Sequence, residues 1–331
     1  MNSFKKKILF IALAVCSLAL ASCGGRRDKH DPDDIEIKRF EQFLFETPAQ
    51  NLQKALVANK DQFDCRLLNI WPDEPEYMEM LQGYLNDPYV QAIYRSTDSL
   101  YHNLYWLEHE LTPALKKAHH ICPELHCTNI YTMVTSQFDY QNRVFCDDSS
   151  MVIAIDQYAL KHFPQYSYFG SPMFIVDLSD SAYLAVDCMA CLAKSRIAIP
   201  TDYMTMLDYM VAEGKALYFV DQVLPNEPEY IKMRYTPEQL KWVKGNEDMI
   251  WSYFLQNKLL YENNYARYHN FVDEAPKTNA FQESAPRTTA YIGWQIIKKY
   301  VKKTGCSVSE LFAETDSQKI LKASGYKPAK H

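Results

Sequence analysis

Residues 210–220 read MVAEGKALYFV, a run of apolar and aromatic residues interrupted by Glu213, Gly214 and Lys215. Two readings of Glu213 compete. It is a zinc ligand or catalytic acid, or it belongs to a packed helix with no chemistry of its own. The residues upstream decide between them.

A helix carrying E-G-x-A-x-Y-F behind an earlier metal-binding helix is the layout of zinc peptidases that use His-Glu-x-x-His and a later glutamate. Two histidines one turn apart hold the metal, and the intervening glutamate takes a proton from the attacking water. No HExxH occurs in the 331 residues. At the corresponding separation the chain reads Asp187-Cys188-Met189-Ala190-Cys191. Asp187 and Cys191 share a helix face and can look toward one metal, but Cys188 cannot act as the general base. Glu213 is therefore predicted to pair with a cation, either Lys215 or an arginine from elsewhere. A metal-dependent hydrolase with altered ligands, built on Asp187, Cys191 and Glu213, stands as the alternative.

Two other groups could carry chemistry. Cys188 and Cys191 form a CxxC, but a redox pair belongs at a helix start after a strand, and this one lies inside the apolar run YLAVDCMACLAK. Buried structural thiols are the expectation. His119, His120, Cys122, His126 and Cys127 are soft donors within "HHICPELHC", at a helix-to-strand connection with no matching ligand group elsewhere. GxSxG, Walker and dinucleotide motifs are absent, and Asp147-Asp148 reads as a solvated acidic pair. No metal and no cofactor are predicted.

The chain begins with Lys5, Lys6 and Lys7 before an apolar run from Ile8 to about Ala21, too short to span a bilayer. Leu20-Ala21-Ser22-Cys23 matches a bacterial lipobox. Residues 1–22 are thus expected to be a signal peptide, Cys23 the lipidated first residue of the mature chain, and 23–34 an anchor and polar tether. The expected location is the cell envelope, facing the periplasm, on either membrane.

With 47% hydrophobic residues, the body from 35 to 331 can bury a large core. A net charge of -6 argues against a nucleic-acid partner. Of nine cysteines, Cys16 and Cys23 belong to the export segment, and the remaining seven are expected to be mostly buried thiols with one or two bridges.

Apolar spacing predicts helices over 76–85, 87–118, 181–193, 202–223, 236–260 and 288–303, and short ones near 307–312 and 316–324. The stretch from Ile35 begins extended and becomes helical, with an interruption at Pro48. Thr236-Pro237-Glu238-Gln239 has the residues of a capped helix start. NIYTMVTSQF and RVFCDDSSMVIAIDQYAL flank the polar Asp139-Tyr140-Gln141-Asn142 and read as a hairpin. The predicted fold class is α+β, a helix-rich single domain with a small, mainly antiparallel sheet.

The segments MVAEGKALYFVDQVLP, YTPEQLKWVKGNEDMIWSYFLQNKLLY, FVDEAPKTNAF, APRTTAYIGWQIIKKYV and KASGYKP, in that order, resemble the gliding-motility lipoprotein GldB family of Bacteroidota. The resemblance implies an envelope lipoprotein associated with gliding and secretion machinery, without enzymatic activity. It also implies similarity to a wider set of HExxH zinc peptidases, and so a gluzincin-like architecture that has lost its metal site. Envelope proteins are the partners expected, with the aromatic stretch Tyr261 to Tyr268 as a contact surface.

Overall fold

The computed structural model describes residues 30–137, 139–147, 149–163, 172–200 and 204–328. Cys23, the signal segment and the start of the tether lie outside the described residues.

A four-stranded sheet divides the structure. Its strands are β1 (Ile37–Arg39), β2 (Asn129–Met133), β3 (Val144–Cys146) and β4 (Ser150–Ala154), in the spatial order β1-β2-β4-β3. The β1–β2 and β2–β4 pairs are parallel and only β3–β4 is antiparallel, so the sheet is mixed rather than mainly antiparallel. The hairpin also lies elsewhere. Asp147 makes the tight turn, its Oδ1 accepting from the Ser149 and Ser150 amides at 3.2 and 3.0 Å. The Asp139–Asn142 segment instead ends a longer connection that lets β4 return parallel to β2. The cue was in β4 itself, since all five of its residues are buried, as in a central parallel strand, whereas a half-exposed antiparallel strand alternates.

The period-two geometry of strands sends alternate residues into two cores. Ile130, Met151 and Ile153 join the larger core with the C-terminal helices, while Tyr131 and Val152 join a smaller one with Phe40, Leu52, Phe63 and Leu81. The smaller core is covered by α1 (Phe40–Glu46), α2 (Leu52–Ala58) and α3 (Pro75–Asn86), with α4 (Pro88–Leu100) alongside. Helix α5 (Tyr105–Ile121) follows as a separate element, where spacing predicted one helix over 87–118. The chain breaks at Tyr101, whose hydroxyl donates to the Tyr158 carbonyl at 2.6 Å. Ile93 before the break, Leu104 within it and Leu107 after it are all buried, so the apolar period conceals it.

On the other side lie α6 (Met173–Asp177), α7 (Leu184–Lys194), α8 (Met206–Val223), α9 (Glu229–Met233), α10 (Pro237–Gly245), α11 (Glu247–Gln256), α12 (Tyr265–Val272), α13 (Thr288–Thr304), α14 (Val308–Ala313) and α15 (Ser317–Ser324). The helix expected over 236–260 is α10 and α11, split at Gly245-Asn246, a helix-stopping pair. The Thr236–Gln239 capping box forms as predicted, and another closes the start of α8 between Thr205 and Asp208.

Helix α8 is buried nearly all round and is crossed by α13. At the crossing Gly214 meets Gly293. A Cβ on Gly293 would collide with the Met210 carbonyl, and one on Gly214 with the Gly293 carbonyl. Gly214 in the opening motif is therefore a contact point between two backbones. Among the described residues all seven cysteines are free thiols, so the expected bridges are not present; burial in the larger core supplies the stability that a small domain would draw from cross-links.

Candidate functional site

Asp187 and Cys191, one turn apart on α7, and Glu213 on α8 line one cavity of about 200 Å³. The sequence reading thus brought together residues that the fold also brings together. Arginines from three other segments, Arg143, Arg234 and Arg287, line the same cavity.

Arg287, immediately before α13, donates to Glu213 Oε2 at 2.8 Å, and Lys194 of α7 pairs with the other carboxylate oxygen. The cation from elsewhere is the partner of Glu213. Lys215 points the other way and donates to the Glu314 carbonyl at 2.5 Å. Arg234 pairs with Asp187, which also accepts from the Tyr158 hydroxyl at 2.7 Å. A second Arg234 nitrogen, Nη2, donates to the Leu178 carbonyl at 2.9 Å, and the guanidinium lies 4.7 Å from the Tyr183 ring centre. Glu274, following α12, accepts from Arg143 Nη1 and Nη2 at 3.4 and 3.2 Å.

Burial pushes the carboxyl of Glu213 up, but Lys194 and Arg287 outweigh it and bring its pKa down to about 2. Desolvation likewise opposes ionisation of Asp187 and Glu274. Arg234 and Arg143 override it at Asp187, and Arg143, Arg234 and Arg287 at Glu274, so both are also lowered. All three are ionised at neutral pH. Five cations (Arg143, Lys194, Lys232, Arg234 and Arg287) face these three anions around the cavity.

Arg234 and Arg287 both have left-handed backbones, with φ of 55° and 47°. At Arg234 the Tyr235 amide bonds the Tyr230 carbonyl and the Arg234 amide bonds that of Ile231, a Schellman end with arginine where glycine is preferred. Such a conformation costs on the order of 1–3 kcal/mol and persists where the surroundings fix it. Here the guanidinium's ion pair does so.

Zinc needs donors at about 2.0–2.3 Å and, for catalysis, an open position. The carboxylates here are committed to guanidinium or ammonium groups. Cys188, at the position a general base would take, is fully buried and its thiol is raised well above the usual range by desolvation. That burial also removes it from redox exchange, which requires an accessible thiolate. In the other soft-donor group, His119 Nδ1 lies 3.2 Å from the Leu125 carbonyl, and Cys122 bonds Glu124 at 3.3 Å. Among the described residues no group of three or more His, Cys, Asp or Glu side chains is arranged to hold a metal ion.

The sequence reading missed Arg143, Arg234, Glu274 and Arg287. Glu274 and Arg287 lie within the segments FVDEAPKTNAF and APRTTAYIGWQ, and Arg234 immediately precedes YTPEQL. A buried, left-handed arginine has no signature in apolar spacing.

The fold and cleft define a helix-rich α+β protein whose central cavity is lined by paired charges. The family described as gliding motility protein GldB matches residues 26–328, and the chain belongs to it. No curated protein and no solved structure matches the chain. Membership suggests a cell-envelope location. Among the described residues no helix is long and apolar enough to cross a membrane.

Proposed function

We propose that the chain is a lipid-anchored, non-enzymatic component of an envelope assembly serving gliding motility, held to the membrane through Cys23. The observation that carries the non-enzymatic reading is the occupation of the cleft by Arg234 and Arg287, whose guanidinium groups take up the carboxylates a metal would require. On this reading α7 and α8 descend from a peptidase layout that has lost its metal site and serve as a scaffold. The exposed rings of Tyr261 and Tyr265 offer contact surface to partners, whereas Tyr268 is buried and donates to the Met204 carbonyl at 3.0 Å.

The reading rests on two measurable expectations. Metal content by mass spectrometry, on protein purified without chelators beside a Glu213→Ala variant, should show no stoichiometric zinc in either. Zinc present in the parent and absent from the variant would instead favour the altered-ligand hydrolase, which the shared cavity of Asp187, Cys191 and Glu213 keeps as the competing reading. Cys23→Ser should release the chain from the membrane fraction; continued sedimentation with membranes would count against the anchor.

A further inference from the structure

The ion pairs in the cleft differ in quality. Arg287–Glu213 is close at 2.8 Å, while both Arg143–Glu274 bonds, at 3.4 and 3.2 Å, are longer than the ~2.7–2.9 Å usual for charged partners. The Nε of Arg234, on a side chain only 5% exposed, makes no hydrogen bond, and Glu274 Oε1 stands 3.6 Å away. The cleft therefore contains an underused guanidinium, a buried donor without an acceptor, and a carboxylate shared loosely between them.

The charge count points the same way. Five cations against three anions leave an excess of positive charge, and Asp221, which pairs with Lys232 at 2.7 Å, offsets only part of it. An excess of charge in a partly desolvated cavity attracts a counter-ion. The cavity's volume of about 200 Å³ is well above the ~10–15 Å³ that admits one water. Interleaved with the charges, the lining is also apolar, with Val144, Val186, Ala190, Ala216, Leu217 and Val220. A ligand with one charged group and one aliphatic group meets both kinds of lining, whereas a phosphate ion would meet only the charged kind.

We propose that this cleft binds a carboxylate carried on a short aliphatic group, a chemistry that a free small acid and the C-terminal residue of a polypeptide share. The inference rests on the reading of the cleft as a binding site rather than a hydrolytic one. Arg143 takes the incoming carboxylate in a two-pronged bond. Glu274, released from Arg143, closes on Arg234 Nε and supplies the missing acceptor. Every charge stays paired through the exchange, and the aliphatic group lies along α7 and α8. Tyr140 and Gln141, at the cleft wall beside Arg143, border the ligand.

The test is calorimetric titration of the full chain in detergent, with chelator present, using N-acetyl-leucine, its amide, isovalerate and inorganic phosphate. N-acetyl-leucine should bind at least about tenfold more tightly than the amide, which lacks the charge. Tighter binding of N-acetyl-leucine than of isovalerate would assign the site to a polypeptide C-terminus, and equal binding of the two to free small acids. Equal binding of acid and amide, preferential binding of phosphate, or no heat with the acid up to about 10 mM would overturn the proposal. Arg143→Gln should lower affinity for the acid by roughly tenfold, with its fold checked by circular dichroism. The acid-against-amide comparison needs no variant and decides the matter if that one fails to fold. Failure here with no zinc in the protein would leave the non-enzymatic reading standing, whereas zinc together with acid binding would overturn that reading alone.

Discussion

The two sides of the sheet use opposite means to shape a concavity. On the α7–α8 side the cleft is walled by ion pairs, each carboxylate held by a named cation. On the other side a larger groove, about 500 Å³, is lined by Phe40, Leu44, Leu81, Tyr84, Val152 and Phe145, with Met80 62% exposed at its edge. Apolar contacts are non-directional and tolerate exchange, whereas a buried ion pair fails when one member is removed. The same sheet therefore supports one region sensitive to single charges and another sensitive mainly to volume.

The largest effect should come from the framework that sets the cleft. Gly293→Leu puts a side chain into the Met210 backbone, and destabilisation beyond ~3 kcal/mol is expected, read as loss of a cooperative urea transition. A variant with parental stability would mean that α8 and α13 do not touch at Gly214 and Gly293.

Removing one charge should come next. Arg234→Met leaves Asp187 buried beside Tyr158 without its cation, and a loss of about 3–5 kcal/mol is expected in urea unfolding. Adding Asp187→Asn should return part of it, because the orphaned charge goes too. If the double variant is no more stable than the single one, the cleft does not depend on charge pairing and the contrast with the groove collapses.

Acid sharpens the comparison further. The pKa of Glu213 falls from 4.5 to about 2 on folding, so its stabilising contribution is complete above pH 4.5 and disappears as pH falls toward 2. Unfolding followed across this window should show stability declining with acidification, and Glu213→Gln should flatten that decline. An unchanged slope in the variant would remove Glu213 as its source.

The smallest effect belongs to the groove's rim. Met80→Gln, at an exposed position, should change stability by no more than about 0.5 kcal/mol by the same assay. A loss several times larger would show that the rim is packed as tightly as the core.

Local chemistry was readable wherever neighbours in sequence are also neighbours in space. The capping box at Thr236, the short helices α14 and α15, and the common face of Asp187 and Cys191 all depend on residues a few positions apart. The strand pairing was misread because the polar Asp139–Asn142 segment resembles a hairpin turn, while the actual turn at Asp147 resembled an acidic surface pair. The division of the 87–118 helix was hidden by apolar residues buried on both sides of the break, Val90 and Ile93 before it and Leu107 after it.

The sequence by itself determined a helix-rich α+β chain of this family, the absence of HExxH, and the helix face that Asp187 and Cys191 share. The tertiary structure decided what meets those carboxylates. Arg287 lies 74 residues from Glu213, Arg234 lies 47 from Asp187, and Arg143 lies 131 from Glu274. Electrostatic energy depends on distance through space and on burial, neither of which periodicity or local spacing encodes for partners so far apart. The α8–α13 crossing at Gly214 and Gly293 and the left-handed turns at Arg234 and Arg287 bring those charges together.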